Sequence, residues 1–277
     1  MLNKKLNKLA LVASIFTGLT LSSVANAHPR WILPSHFTIS KADGEWLTFD
    51  VTASNGTFVM DKPAGSETAE ILMPDGHKER PDFVLRGKRR SVFDFHFSEE
   101  GTHKVQVNNV PSYVTFFKVD NEKKPQRIRA SKVERAELLP KAASAVSTTL
   151  NYTRAETYIT VGKPSDKAFD LEGTYLELKP ITRPADIVAE EPVRFQMFFN
   201  GKPQAGVSAN ITRDGTSYRN QQEAIEVVSD EQGFINFTPE IAGRYLLKAN
   251  YEGELANNPL ADKTSAEVHL TFEAILP

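Results

Sequence analysis

The sequence predicts an all-β protein: two tandem immunoglobulin-like β-sandwich domains joined by a short, partly helical linker. Three observations carry that expectation. Beyond His28, most of the 277-residue chain consists of short runs that alternate apolar and polar residues with period two, separated by Gly, Pro, Asn and Asp turns. No convincing helical repeat competes with them. The third observation is an internal echo. Phe97 followed by Gly101-Thr102-His103-Lys104-Val105 has a partner in Phe237 followed by Gly243-Arg244-Tyr245-Leu246-Leu247. A phenylalanine strand, an acidic turn and a glycine-led return strand form a common corner of such sandwiches.

Residues 1–27 read as a secretory signal. Lys4, Lys5 and Lys8 precede an apolar stretch from Leu9 to Leu21, and Ala25-Asn26-Ala27 supplies the small residues of a cleavage site. The apolar stretch is too short to span a bilayer comfortably, and no later segment is long enough either. Cleavage after Ala27 would deliver a periplasmic protein, not membrane-spanning, that begins at His28. Residues 28–120 are assigned to the first sandwich. Within it, Ser91 to Phe97 is the clearest strand, with Phe93, Phe95 and Phe97 on one face and Asp94 and His96 on the other. Residues 121–149 shift to Lys, Arg, Glu, Ala and Ser, a linker whose short helix Pro140 should interrupt. Residues 150–277 form the second sandwich, with strands at Tyr158–Val161, Tyr175–Leu178 and Val193–Phe199. A hairpin turn follows at Asn200-Gly201-Lys202-Pro203, where Gly201 is free to take positive φ.

Composition excludes several function classes. The chain carries 33 Lys and Arg against 35 Asp and Glu; losing three lysines and no acids with the signal makes the exported form acidic. A nucleic-acid or anionic-membrane partner would need the opposite sign. With no cysteine, thiolate metal sites, disulfides and Cys nucleophiles are out. No nucleophile elbow, P-loop or dinucleotide fingerprint occurs, so an enzyme is not expected.

The second half carries a family resemblance. Asn151 to Tyr158 leads to Leu176-Glu177-Leu178-Lys179-Pro180, then Phe199 to Val207, Ser229-Asp230-Glu231-Gln232-Gly233-Phe234, Ala242 to Ala249 and Leu270-Thr271-Phe272-Glu273. In that order, with His28-Pro29-Arg30-Trp31 at the start, they resemble the NikM-like extracytoplasmic domain family, a domain of unknown function. The resemblance implies an envelope β-sandwich protein associated with transition-metal uptake, nickel in particular, and a metal-uptake transporter component as partner.

Six histidines could bear chemistry, but only His28 would gain an α-amine beside its own imidazole, a bidentate chelate for a late first-row metal. Pro29 has no amide N–H, which excludes a site built from successive backbone nitrogens. Asp94 and His96, which leave one strand face together, are the candidate further ligands, with His103 a third. An amine, imidazoles and a carboxylate suit divalent copper or nickel. The competing reading makes Asp94 and His96 ordinary solvent-facing residues and His103 a structural residue in the corner slot that Tyr245 fills. His36 is a reserve ligand; His77 and His269 receive no role. Tyr152, Arg154, Glu156 and Tyr158 share a strand face suited to a cross-strand or inter-domain contact. Two functions remain: a metal-binding accessory or carrier built on His28, or a metal-free module that recognises an envelope protein or glycan.

Overall fold

The computed structural model describes residues 28–41, 43–120 and 122–277; the signal assignment, residues 1–27, lies outside them. The first half contributes β1 (Arg30–Pro34), β2 (Thr38–Ile39), β3 (Glu45–Ala53), β4 (Lys62–Pro63), β5 (Ala69–Leu72), β6 (Lys78–Glu79), β7 (Val84–Arg86), β8 (Ser91–Phe97), β9 (Gly101–Asn108), β10 (Ser112–Val119) and β11 (Gln126–Ile128). A one-turn helix, α1 (Arg135–Leu138), follows and stops just short of Pro140, as a residue before proline disfavours helix. Then come β12 (Ala143–Val161), β13 (Leu176–Pro180), β14 (Val193–Phe199), β15 (Lys202–Pro203), β16 (Ser208–Arg213), β17 (Ile225–Val228), β18 (Phe234–Phe237), β19 (Gly243–Glu254) and β20 (Lys263–Ala274). The fold is all-β, arranged in sandwiches.

Three sheets are present. One has the order β1-β3-β8-β7, with β4 on β3. A second, of eleven strands, has the spine β17-β16-β19-β20-β12-β9-β5-β6. A third joins β13-β14-β15, with β18 on β14. The first sheet covers the β9–β5 end of the large one over a core of Leu47, Phe49, Phe93, Phe97, Val105 and Ile159. The third covers the β16–β20 end over Phe195, Met197, Ile211, Leu247, Leu270 and Phe272. The two sandwiches therefore share one sheet. Its common member is β12, which pairs with β10 near Ala143–Asn151, runs parallel to β20 over Thr149–Thr157, and ends antiparallel to β9 over Tyr158–Val161. The expected change from linker to second domain at residues 149 and 150 falls inside this strand. Backbone hydrogen bonds thus cross from one half to the other where a tether was expected.

Local patterning explains the single strands. In β8, Ser91, Phe93, Phe95 and Phe97 are buried while Asp94 and His96 point away, as period two requires. β1 is buried on both faces. Ile32 enters the first core, whereas Trp31 and Leu33 meet Phe37 and Leu246 in a small third cluster that bonds the first sandwich to β19. The two corners also appear. Gly101 and Gly243 both hold φ beyond +130°, where an L side chain is strained. Two residues on, the Tyr245 hydroxyl donates to the Ile241 carbonyl, and His103 packs edge-on against Phe97.

Candidate functional site

The ligands nominated from the sequence do not converge. Asp94 and His96 stand together on the outer face of β8, opposite Thr48 and Trp46 of β3. The Thr48 hydroxyl donates to Asp94 Oδ1 at 2.6 Å, and the His96 ring lies 5.2 Å from that of Trp46, an indole that is 66% exposed. His28 lies beyond the other end of the same sheet. Arg30 pairs with Ala53 whereas His96 pairs with Trp46. At the rise of an extended strand this register separates His28 from both by more than roughly 20 Å. Sequence spacing alone gave no means of seeing that separation, because it depends on which end of β3 each neighbour reaches.

His103 is a second correction. It is fully buried in the first core and neither ring nitrogen has a hydrogen-bond partner. Burial pushes its pKa down to about 4, with backbone groups of Ile159 and Gly101 offsetting part of the effect. It is a neutral core residue packed against Phe97. Among the described residues, no group of three or more His, Asp or Glu is arranged to hold a metal ion.

His28 itself has neighbours that the sequence did not suggest. Its Nε2 is 3.8 Å from Asp61 Oδ2, and Lys62 Nζ lies 3.2 Å away on the same side. Pro29 and Asn55 form one wall of an adjoining polar cleft of about 270 Å³; Lys248, Asn250, Glu267 and His269 of β19 and β20 form the other. His269 is buried beneath β1 and its Nδ1 accepts the Arg30 backbone N–H at 3.2 Å. In the neutral ring that leaves the proton on Nε2, directed towards Glu267 Oε2 at 3.7 Å. A metal at Nε2 would need the opposite tautomer, so His269 is no ligand in this arrangement. Burial pushes the His269 pKa down to about 4, with the Lys248 and Arg30 charges acting in the same direction. Burial also raises Glu267 and lowers Lys248. The missed signal was parity: Glu267 and His269 alternate with buried Ala266, Val268 and Leu270.

The face predicted from Tyr152, Arg154, Glu156 and Tyr158 is a buried ionic network between the sandwiches. Arg154 donates to Glu172 Oε2 at 2.8 Å and lies 3.7 Å from Glu177, while Lys104 Nζ of β9 sits 3.1 Å from Glu156. The Glu177 carboxylate also accepts the backbone N–H groups of Glu172, Gly173 and Thr174. Burial alone would raise Glu172, but Arg154, Lys78 and Gln106 bring it down to about 2. These partners account for the charge without invoking catalysis.

Residues 25–253 match the family described as Domain of unknown function (DUF4198). The chain belongs to that family. No curated protein matches it. Among solved structures, the Yersinia pseudotuberculosis adhesin InvE aligns at 10% identity and a TM-score of 0.21, over 88% of this chain and 58% of the adhesin chain. The DUF4198 chain thus spans little more than half of that adhesin. A DUF3823 family protein from Bacteroides uniformis aligns at 8% identity and a TM-score of 0.22, over 91% of this chain and all of its own. At these scores neither alignment supports a common topology. Among the described residues no helix is long and apolar enough to cross a membrane.

Proposed function

We propose that this DUF4198 protein is a periplasmic accessory or carrier for divalent copper or nickel, centred on His28 once residues 1–27 are removed. The observation that carries the reading is the placement of His28 Nε2 within 3.8 Å of the Asp61 carboxylate, next in sequence to Pro29 of the polar cleft. A freed α-amine and Nδ1 of one histidine would chelate the ion. The ring proton then resides on Nε2 and faces Asp61, the carboxylate–histidine arrangement that fixes ring orientation at metal centres. Asp61 thereby supports the ring from behind, whereas Asp94 was expected as a ligand itself, and Lys62 must swing aside when its acceptor is lost. The resemblance to NikM-like domains supports nickel and an uptake-transporter partner.

Calorimetry with copper(II) and nickel(II) salts tests this on protein beginning at His28. An extra alanine ahead of His28 should abolish chelation, and Asp61→Asn should weaken it by about tenfold or more. The pair Asp94→Ala and His96→Ala should leave affinity unchanged, and acidification should weaken binding because both nitrogens must release protons. Equal affinity with and without the extra alanine would refute the proposal. The alternative reading, a glycan-recognising envelope module, is favoured by a different observation, the second cleft described next.

A further inference from the structure

Between the two sandwiches lies a second, larger cleft of about 470 Å³. This is within the size range of small-molecule sites, which favour domain junctions. One wall is the Thr57–Met60 loop with Asp50 of β3; the other is the Asp214–Tyr218 turn with Arg244 of β19. The walls are held together by the Trp31, Leu33 and Leu246 cluster beneath them, against which Phe58 and Met60 pack.

The charged lining residues are Asp50, Asp214 and Arg244, and both carboxylates are paired with an arginine. Asp50 accepts from Arg90 at 3.1 Å, and Asp214 accepts from Arg244. Burial raises the Asp50 pKa, with Arg90 offsetting part of that. Each carboxylate keeps unfilled lone pairs and each guanidinium spare N–H groups. A free anion would meet two carboxylates, and a free cation would meet the Arg244 guanidinium and carboxylates that are already ion-paired. A wholly apolar ligand would strip water from both ion pairs without replacing it. The neutral, paired floor therefore selects a neutral ligand rich in hydroxyl groups, which donate to Asp50 and Asp214 and accept from Arg244. Thr57, Thr216 and Ser217 add side-chain hydroxyls to the lining.

The aromatic residues point the same way. Tyr218 is 93% exposed at the mouth, anchored on a 3₁₀ turn that begins at Gly215 with φ of +85°. An aromatic ring held out in solvent with nothing packed on its face is a platform for an apolar C–H surface. Opposite it, Phe58 adopts φ of +55°, a conformation that is uncommon for a bulky residue and concentrates at ligand clamps. It is braced edge-on by Trp31 at 5.4 Å.

We propose that this cleft binds a neutral oligosaccharide, one pyranose stacked on Tyr218 with its hydroxyls shared among Asp50, Asp214 and Arg244. Cellohexaose, chitohexaose and maltohexaose, titrated into the processed protein by calorimetry and by amide chemical shifts, test it. At least one should bind with Kd below about 1 mM, an affinity that a stacked ring and a few hydrogen bonds supply. Shifts should cluster at 57–60 and 214–218. Tyr218→Ala should weaken binding tenfold or more, with folding unaffected because the ring is exposed, and Tyr218→Phe should retain it. Trp46→Ala, an exposed aromatic on another face, should change nothing. The proposal is overturned if none of the three sugars binds, if Tyr218→Ala binds as well as the parent, or if Trp46→Ala removes binding. Binding of an oligolysine peptide with none of the sugars would also overturn it, since the carboxylates alone would then be the determinant. None of these outcomes depends on the metal at His28.

Discussion

Acidification should unfold this protein by forcing protons onto two buried imidazoles. His103 and His269 both titrate at about 4 in the fold, against 6.5 for an ordinary histidine. Above about pH 6.5 both states hold the rings neutral and nothing is lost. As pH falls from there towards 4, the unfolded chain binds up to two more protons than the native one, so stability drops. The combined slope approaches roughly 2.7 kcal/mol per pH unit, and each ring withdraws about 3 kcal/mol by the time its folded value is reached. Together that is comparable with the whole stability of an ordinary domain, about 5–15 kcal/mol. Glu172 and Asp262, each held down to about 2, add acid sensitivity only in a lower window, as pH falls below their ordinary carboxylate values. Urea midpoints measured in steps between about pH 7 and pH 4.5 should therefore fall steeply before Glu172 and Asp262 contribute. His103→Phe removes two unpartnered ring nitrogens while keeping an aromatic against Phe97, and should halve the slope with little loss at neutral pH. His269→Asn, whose Oδ1 can still accept the Arg30 N–H, should remove the other half. An unchanged slope in both variants would refute the assignment of neutral, buried rings.

Three other outcomes follow from packing. Arg154→Ala removes the donor to Glu172 and the cation beside buried Glu177, and should cost about 3–5 kcal/mol by chemical denaturation. Lys104→Met combined with Glu156→Leu should cost less than the two single changes summed, because each single change leaves one buried charge alone; a double-mutant cycle measures the difference. Gly233→Ala puts a Cβ 2.5 Å from the Met197 carbonyl oxygen at φ of +81°, and should lower stability by more than about 1 kcal/mol in thermal melts.

Much of the fold was legible because its signals are local. Period-two alternation placed the phenylalanines of β8 inside and Asp94 and His96 outside, and Pro140 limited α1 to a single turn. The glycine-led corners at 101 and 243 were readable for the same reason: a strained φ and the residue two positions on lie within one short stretch of chain. The all-β class was determined at that level.

What only the tertiary structure decided was which distant residues meet. β9 alternates in sequence like a half-exposed strand, yet it is buried on both sides: Val105 and Val107 enter the first core, and Lys104 and Gln106 on the other face meet Glu156, Glu70 and Glu172. The distance between His28 and Asp94 follows from the register of β1 and β8 on β3, and no local pattern encodes a register set by partners tens of residues away. Arg30 and His269 are 239 residues apart in sequence and 3.2 Å apart in space. Alternation specifies which face of a strand is apolar; only the pairing of strands specifies what covers that face, and hence which polar groups share a cleft.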